Sequence, residues 1–294
     1  MPALIFYLGT VFVPIIQSLN YSFQQWNGIQ EPRYTGFDNY IAMFSDSYFW
    51  NSVQNNLVYV VIVVFMQVFI GLFFALLLSY VTKGAGIFRT LYYLPAVVVT
   101  VAIAQMFRNF YSLQPLGLMN MFLDWVGMGH LQSAWLSNPH TALIAVSIPE
   151  GWRFIGMYMV IFYAALIAIP KEIEEAARID GVNGWQLIRY IKLPSIMHVL
   201  SLALIMCTTG ALRGFDIPYI IGVPGSATEL VTTYMYKQAF STIQYGYGSS
   251  IAVFIVIESL LAVLIIRAIF LIRRKEMPDM PARKSSPLHF CIFW

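Results

Sequence analysis

Apolar residues run in six long stretches, each close to the roughly 20 residues a helix needs to cross a bilayer core. They extend from about Ala3 to Phe23, Leu57 to Tyr80, Thr90 to Phe107, Pro139 to Ile169, Ile196 to Ile220 and Ser249 to Ile272. The pattern predicts an all-α, polytopic membrane protein with six transmembrane helices. The second stretch carries no charge, and the third is closed by Arg89 and Arg108. The fourth encloses Glu150 and Arg153, the fifth Arg213 and Asp216, and the sixth Glu258 and Arg267. Pro14, Pro95 and Pro149 fall inside stretches, where neighbouring helices can satisfy the backbone groups they free. The first stretch lacks the basic start and small-residue cleavage site of a signal peptide. The first basic residue is Arg33, so the stretch reads as a first transmembrane helix.

Composition agrees with this pattern. Of 294 residues, 59% are hydrophobic and 11% charged, whereas soluble domains carry about 25% charged residues. The net charge of +3 says less than where the charges sit. Lys83, Arg89, Lys171, Arg178, Arg189, Lys192 and a basic group from Arg273 to Lys284 collect on one side of the predicted spans. The opposite loops hold only Arg33 and Lys237, with Arg108 at their edge. Lys and Arg mark the cytoplasmic side, so both termini are expected in the cytoplasm of a bacterial inner-membrane protein. Residues 1–294 read as one transmembrane domain with a core of about 54–272 and a flexible cytoplasmic tail at 276–294. The outer loops are rich in Trp26, Asn27, Tyr40, Trp50, Trp125 and Trp135. Two readings stay open for them: an interfacial aromatic belt, or a docking surface for an external partner. Cys207 and Cys291 form neither a disulfide framework nor a CxxC motif. Cys207 reads as core packing.

The most informative segment is the charged loop Ile169 to Ile196. Pro170 suits a first helical turn, and the acidic residues after it complement the helix dipole. Glu172 to Arg178 are mostly good helix formers, and Glu174 and Arg178 are spaced as an i,i+4 pair. Gly181 and Gly184 predict a turn, and a short amphipathic helix follows from about Trp185 to Ile191. Pro194 marks entry to the fifth stretch. On physical grounds alone the loop could lie on the lipid surface or receive another protein.

The spacing Glu175-Ala176-Ala177, Gly181, Ile191, Leu193-Pro194 resembles the EAA loop of ABC importer permeases at every position, and Asp180 fits the sugar-importer version. Gly151 to Pro170, Phe215-Asp216, Tyr236 to Gly248 and Gly36 to Tyr40 are similar to the carbohydrate-uptake branch with MalF-like and UgpA-like subunits. One departure is Ile221-Gly222-Val223-Pro224-Gly225, where that branch often has Thr-Gly-Gly-Gly-Pro. The resemblance implies the type I ABC importer permease fold. It also implies a sugar substrate, a second permease subunit in a heterodimer, two cytoplasmic ATPase subunits and an extracytoplasmic solute-binding protein. The EAA helix would sit in an ATPase cleft, with Glu175 as its polar contact, Ala176 and Ala177 permitting close approach, and Gly181 making the turn. ATP and Mg would bind the partner ATPase, and no cofactor or nucleic acid is expected on this chain.

Charges inside spans are costly and usually face a cavity or a partner. Glu150 with Arg153, and Arg213 with Asp216, are each spaced to neutralise one another on one helix face. Either pair could line a polar path or act structurally. Phe215 and Tyr219, with Asn109 and Tyr111, could contribute to a sugar site. Glu258 reads as contacting another helix of a dimer. No GxxxxGK[ST], HExxH or GxSxG motif occurs, so no enzyme is expected. The competing reading is a self-sufficient ion- or proton-coupled carrier, which would leave the EAA spacing unexplained.

Overall fold

A computed structural model of the chain describes residues 2–81, 83–222 and 226–276. The expected tail from Met277 onward and Val223-Pro224-Gly225 lie outside the described residues.

In chain order the elements begin with α1 (Ile5–Tyr21) and the antiparallel ribbon β1 (Gln24–Gln25) and β2 (Arg33–Tyr34). Then come α2 (Asp38–Ser45) and α3 (Ser47–Leu78). They are followed by α4 (Ala85–Val97), α5 (Thr100–Phe110), α6 (Leu118–Trp125) and α7 (Ala142–Ile167). The charged loop folds as α8 (Lys171–Ile179) and α9 (Gly184–Leu187). The chain continues with α10 (Met197–Leu212), α11 (Asp216–Ile221), α12 (Val231–Tyr236) and α13 (Tyr245–Glu276).

Four helices are long and apolar enough to cross a membrane: α3, α7, the α10–α11 stretch Met197–Ile221, and α13 over Tyr245–Ile272. The other two expected spans differ. Helix α1 is apolar but shorter than the four. The third stretch is not a straight span, because α4 and α5 meet at 93°. Val98 and Val99 are extended at the break, with ψ of 138° and 132°. Pro95 has no N–H to give the preceding turn, and three successive β-branched valines lower helix propensity there.

Helix α3 starts ten residues before its expected boundary. Asp46 caps it by accepting from the Tyr48 N–H at 2.9 Å. Two of the polar residues that hide these turns in a hydropathy reading, Ser52 and Asn56, are buried and each donates a hydrogen bond. Ser52 Oγ donates to the Phe49 carbonyl at 2.7 Å, and Asn56 Nδ2 to the Leu212 carbonyl at 3.4 Å. Asp46 also accepts from the hydroxyls of Tyr234 and Tyr247, fastening this corner to α12 and α13. Burial pushes the Asp46 carboxyl up, but these hydrogen bonds and those of the Tyr48 and Phe49 backbone outweigh it and hold it below its usual range.

The main core forms where α3, α7 and α10 meet, around Tyr59, Val63, Val68, Met159, Phe162, Ala203 and Cys207. Cys207 is packing, as expected, with Sγ 3.2 Å from Gln67 Oε1. A second cluster joins α5, α7 and α11, and a third joins α2, α3, α12 and α13. Apolar side chains such as Leu260, Leu264 and Ile269 of α13 face outward, as a lipid-contacting helix requires.

Helices α4 and α7 cross with almost no space between backbones. A Cβ placed on Gly156 would lie 1.8 Å from the Tyr92 carbonyl oxygen. Small residues permit such approach in membrane helices. Gly156→Ala is therefore expected to destabilise the fold by about 1–3 kcal/mol through overpacking. Thermal unfolding of the detergent-purified protein checks this, and an unchanged midpoint would contradict the close crossing.

Candidate functional site

The charged loop is a helix, a glycine turn and a second helix. Pro170 precedes α8, Glu172 and Glu174 occupy its first turn, and Arg178 its last. Its end is a Schellman closure. The Val182 N–H bonds the Ala177 carbonyl at 3.0 Å, and the Gly181 N–H bonds that of Arg178 at 3.1 Å. Gly181 has φ of 80°, while a Cβ there would touch nothing within 4 Å. Glycine is needed here for its backbone conformation rather than for space. Gly184 does not continue the turn, as the sequence suggested. It opens α9 behind Asn183, which forms a capping box with Gln186.

The motif residues divide by exposure. Glu175, Ala176, Asp180 and Gly181 face outward, beside the exposed side chains of Ile179 and Trp185. Ile191, Leu193 and Pro194 are half-buried where the loop runs into α10. Ala177 is buried, so it packs against its own chain and not toward an incoming surface. This corrects its expected role. An α-helix turns about 100° per residue, so two adjacent alanines cannot both face one partner squarely.

The expected Glu174–Arg178 pair does not form. Glu174 instead pairs with Lys192, Oε1 to Nζ at 3.2 Å. Lys192 is 3% exposed. Its Nζ lies 3.5 Å from Ser79 Oγ and 4.5 Å from the centroid of the Tyr80 ring. Ser79 and Tyr80 directly follow α3. One buried ammonium thus joins α8 to the C-terminal end of α3, through an ion pair and a cation–π contact. Sequence reasoning placed Lys192 only among the cytoplasmic charges. Its position two residues before Leu193-Pro194, at the loop's return to the membrane, was the available signal.

The other predicted residues lie elsewhere. Between α10 and α11 the helix is interrupted: Arg213 has φ/ψ of −98°/10° and Phe215 −131°/−52°. Arg213 and Asp216 are therefore off a common helical face. Both are exposed and, among the described residues, make no ion pair. Phe215 and Tyr219 stack at 4.9 Å and 18°, and Tyr236 packs on both at 5.3 and 5.1 Å. Glu150 and Arg153 do not pair either. Arg153 Nη1 donates to Thr100 Oγ1 at 2.8 Å, across to the start of α5. Tyr111 is buried against Phe107 and Phe110 rather than open to a ligand. Glu258 Oε2 is buried without a partner among the described residues.

Known proteins resemble the chain over nearly its full length. A probable ABC transporter permease protein, YurN of Bacillus subtilis, is 36% identical over 88% of this chain and 90% of its own. The trehalose/maltose transport system permease protein MalF of Thermococcus litoralis is 31% identical over 84% of this chain and 80% of its own. The crystal structure of a bacterial ABC transporter that imports the acidic polysaccharide alginate has a chain with the same fold. Its TM-score is 0.82 at 23% identity, covering 93% of both chains. The profile of the family described as binding-protein-dependent transport system inner membrane component matches residues 38–275. The chain belongs to that family.

Proposed function

We propose that this chain is the sugar-translocating permease subunit of an ATP-driven importer. As a member of its family it is a transport component of the inner membrane and not an enzyme. The observation that carries the mechanism is the exposed EAA surface of α8, fastened through Lys192 to the inner end of α3. In this reading α8 seats in a cleft of a cytoplasmic ATPase subunit, with Glu175 as polar contact and Ala176 allowing close approach. ATP and Mg bind that subunit, and this chain binds no cofactor. Closure of the ATPase pair moves α8, the Glu174–Lys192 link carries the motion to α3, and the helices shift as rigid bodies between two access states.

Helix α1 and the bent pair α4–α5 join the four long helices as six membrane segments of one domain, with both termini cytoplasmic. A second permease subunit, two ATPase subunits and an extracytoplasmic solute-binding protein complete the assembly. A related structure is described as the alginate transporter with a pentasaccharide-bound periplasmic protein, which supports that last partner. Relatives named for starch degradation products, arabinooligosaccharides and lactose support the sugar class. Arg213, Phe215, Asp216 and Tyr219 offer polar groups beside stacked rings at a helix break, the mixture a hydroxylated substrate needs. Arg153, tied to Thr100, and Glu150 stand as secondary path candidates.

The test reconstitutes the chain with its partners in vesicles and measures uptake of labelled maltotriose, arabinotriose, lactose and trehalose. ATP-dependent uptake of at least one saccharide is expected, falling about tenfold or more in Tyr219→Ala. Uptake by this chain alone, without ATP, would overturn the importer reading in favour of a self-sufficient carrier.

A further inference from the structure

A cavity of about 540 Å³ opens between the loop carrying β1 and β2, helix α2 and the start of α13. Its volume lies within the roughly 300–1,000 Å³ of small-molecule sites. Its position follows from α3. That helix begins beside α2, and its other end meets Lys192 of the charged loop. Thirty-two residues at about 1.5 Å each separate the two ends. The cavity therefore lies at the far end of the span from the coupling loop.

Its wall carries the side chains of Gln25, Gln30, Glu31, Arg33 and Gln244, with Trp26 beside them. Among the described residues, those five side chains make no hydrogen bond or ion pair with the protein. Each amide offers a donor and an acceptor together, as a sugar hydroxyl does. One carboxylate and one guanidinium leave the wall without net charge, which favours a neutral ligand over an ion. Trp26 is fixed by Nε1 donating to the Gln30 carbonyl at 2.9 Å. Ile243, also in the wall, has φ of 56°. That conformation is strained for a β-branched residue, and such strain clusters at ligand clamps.

The cavity is also connected. From Trp26 the rings of Tyr245, Phe240, Tyr236 and Tyr219 follow at centroid steps of 5.4, 5.7, 4.9 and 5.1 Å. The run ends at the break between α10 and α11. Phe240 and Tyr219 are each more than half exposed along it.

We infer that this cavity is an entry subsite for a neutral saccharide. It holds a sugar unit at the far face before the aromatic run passes it to Phe215 and Tyr219. The inference rests on the sugar-importer reading above.

The experiment uses the complete transporter in nanodiscs without the soluble solute-binding protein. The probe is whichever of the four labelled saccharides the wild type imports. Gln25→Ala combined with Gln244→Ala removes two side chains that have no protein partner, so the fold is kept, and gel filtration verifies this. Saccharide binding at least tenfold weaker is expected in the nanodiscs, and in vesicles supplied with the solute-binding protein the KM for uptake is raised with the maximal rate little changed. Unchanged saccharide binding overturns the inference. So does weaker association of the solute-binding protein with saccharide binding intact, since the cavity would then be a protein contact. If the wild type imports none of the four sugars, the sugar reading fails first, and that failure is visible without any variant.

Discussion

Lys192→Met is expected to impair import severely while the ATPase subunit stays bound. Methionine keeps the length and apolar packing of the lysine stem but loses the ammonium. Glu174, left without its partner, is 24% exposed and can be hydrated, so the variant should insert and fold. The outward surface of Glu175, Ala176 and Asp180 is untouched, so docking should persist. The missing piece is the link from α8 to Ser79 and Tyr80 at the end of α3. Substrate uptake should fall by about tenfold or more, with ATP hydrolysis continuing but no longer tied to transport. Glu174→Gln should do more damage to stability, because it leaves a buried ammonium uncompensated. Removing one partner of a buried pair costs about 3–5 kcal/mol, and the partial exposure of Glu174 places this case toward or below the lower bound. A double-mutant cycle over the two positions separates the pair's coupling from the separate losses. Wild-type uptake by Lys192→Met would show that α8 moves α3 by another route.

Much of this architecture is legible before any coordinates. The uninterrupted apolar run from Leu57 places α3. The helix, glycine turn and second helix of the charged loop are legible because they are local: caps, turn and register are all set within about 25 residues. What resists reading is tertiary. The start of α3 is hidden because Ser52 and Asn56 look solvent-facing until their burial and bonding are seen. The break at Val98 and Val99 is hidden because three valines read as a continued apolar stretch. Side-chain partners are the least legible feature. Helical spacing suggested Glu174 with Arg178 and Glu150 with Arg153, yet Glu174 reaches Lys192 and Arg153 reaches Thr100. In both cases a contact from another segment displaced the local one. The aromatic run from Trp26 to Tyr219 joins residues almost 200 positions apart, and no periodicity in the chain announces it.

The second large effect concerns docking. Glu175→Arg places a cation on the exposed face of α8 where the reading requires an acid, and Gly181→Pro removes the N–H that closes the helix on the Arg178 carbonyl. Proline also fixes φ near −65° where the turn needs +80°. Neither residue contributes to the buried core, so insertion should survive while the surface is lost. The measurement is co-purification from membranes coexpressing the chain with its ATPase partner, using a tag on the ATPase. Wild type should be retained and both variants lost, each still present in the membrane fraction. Equal retention of wild type and variants would contradict α8 as the docking site.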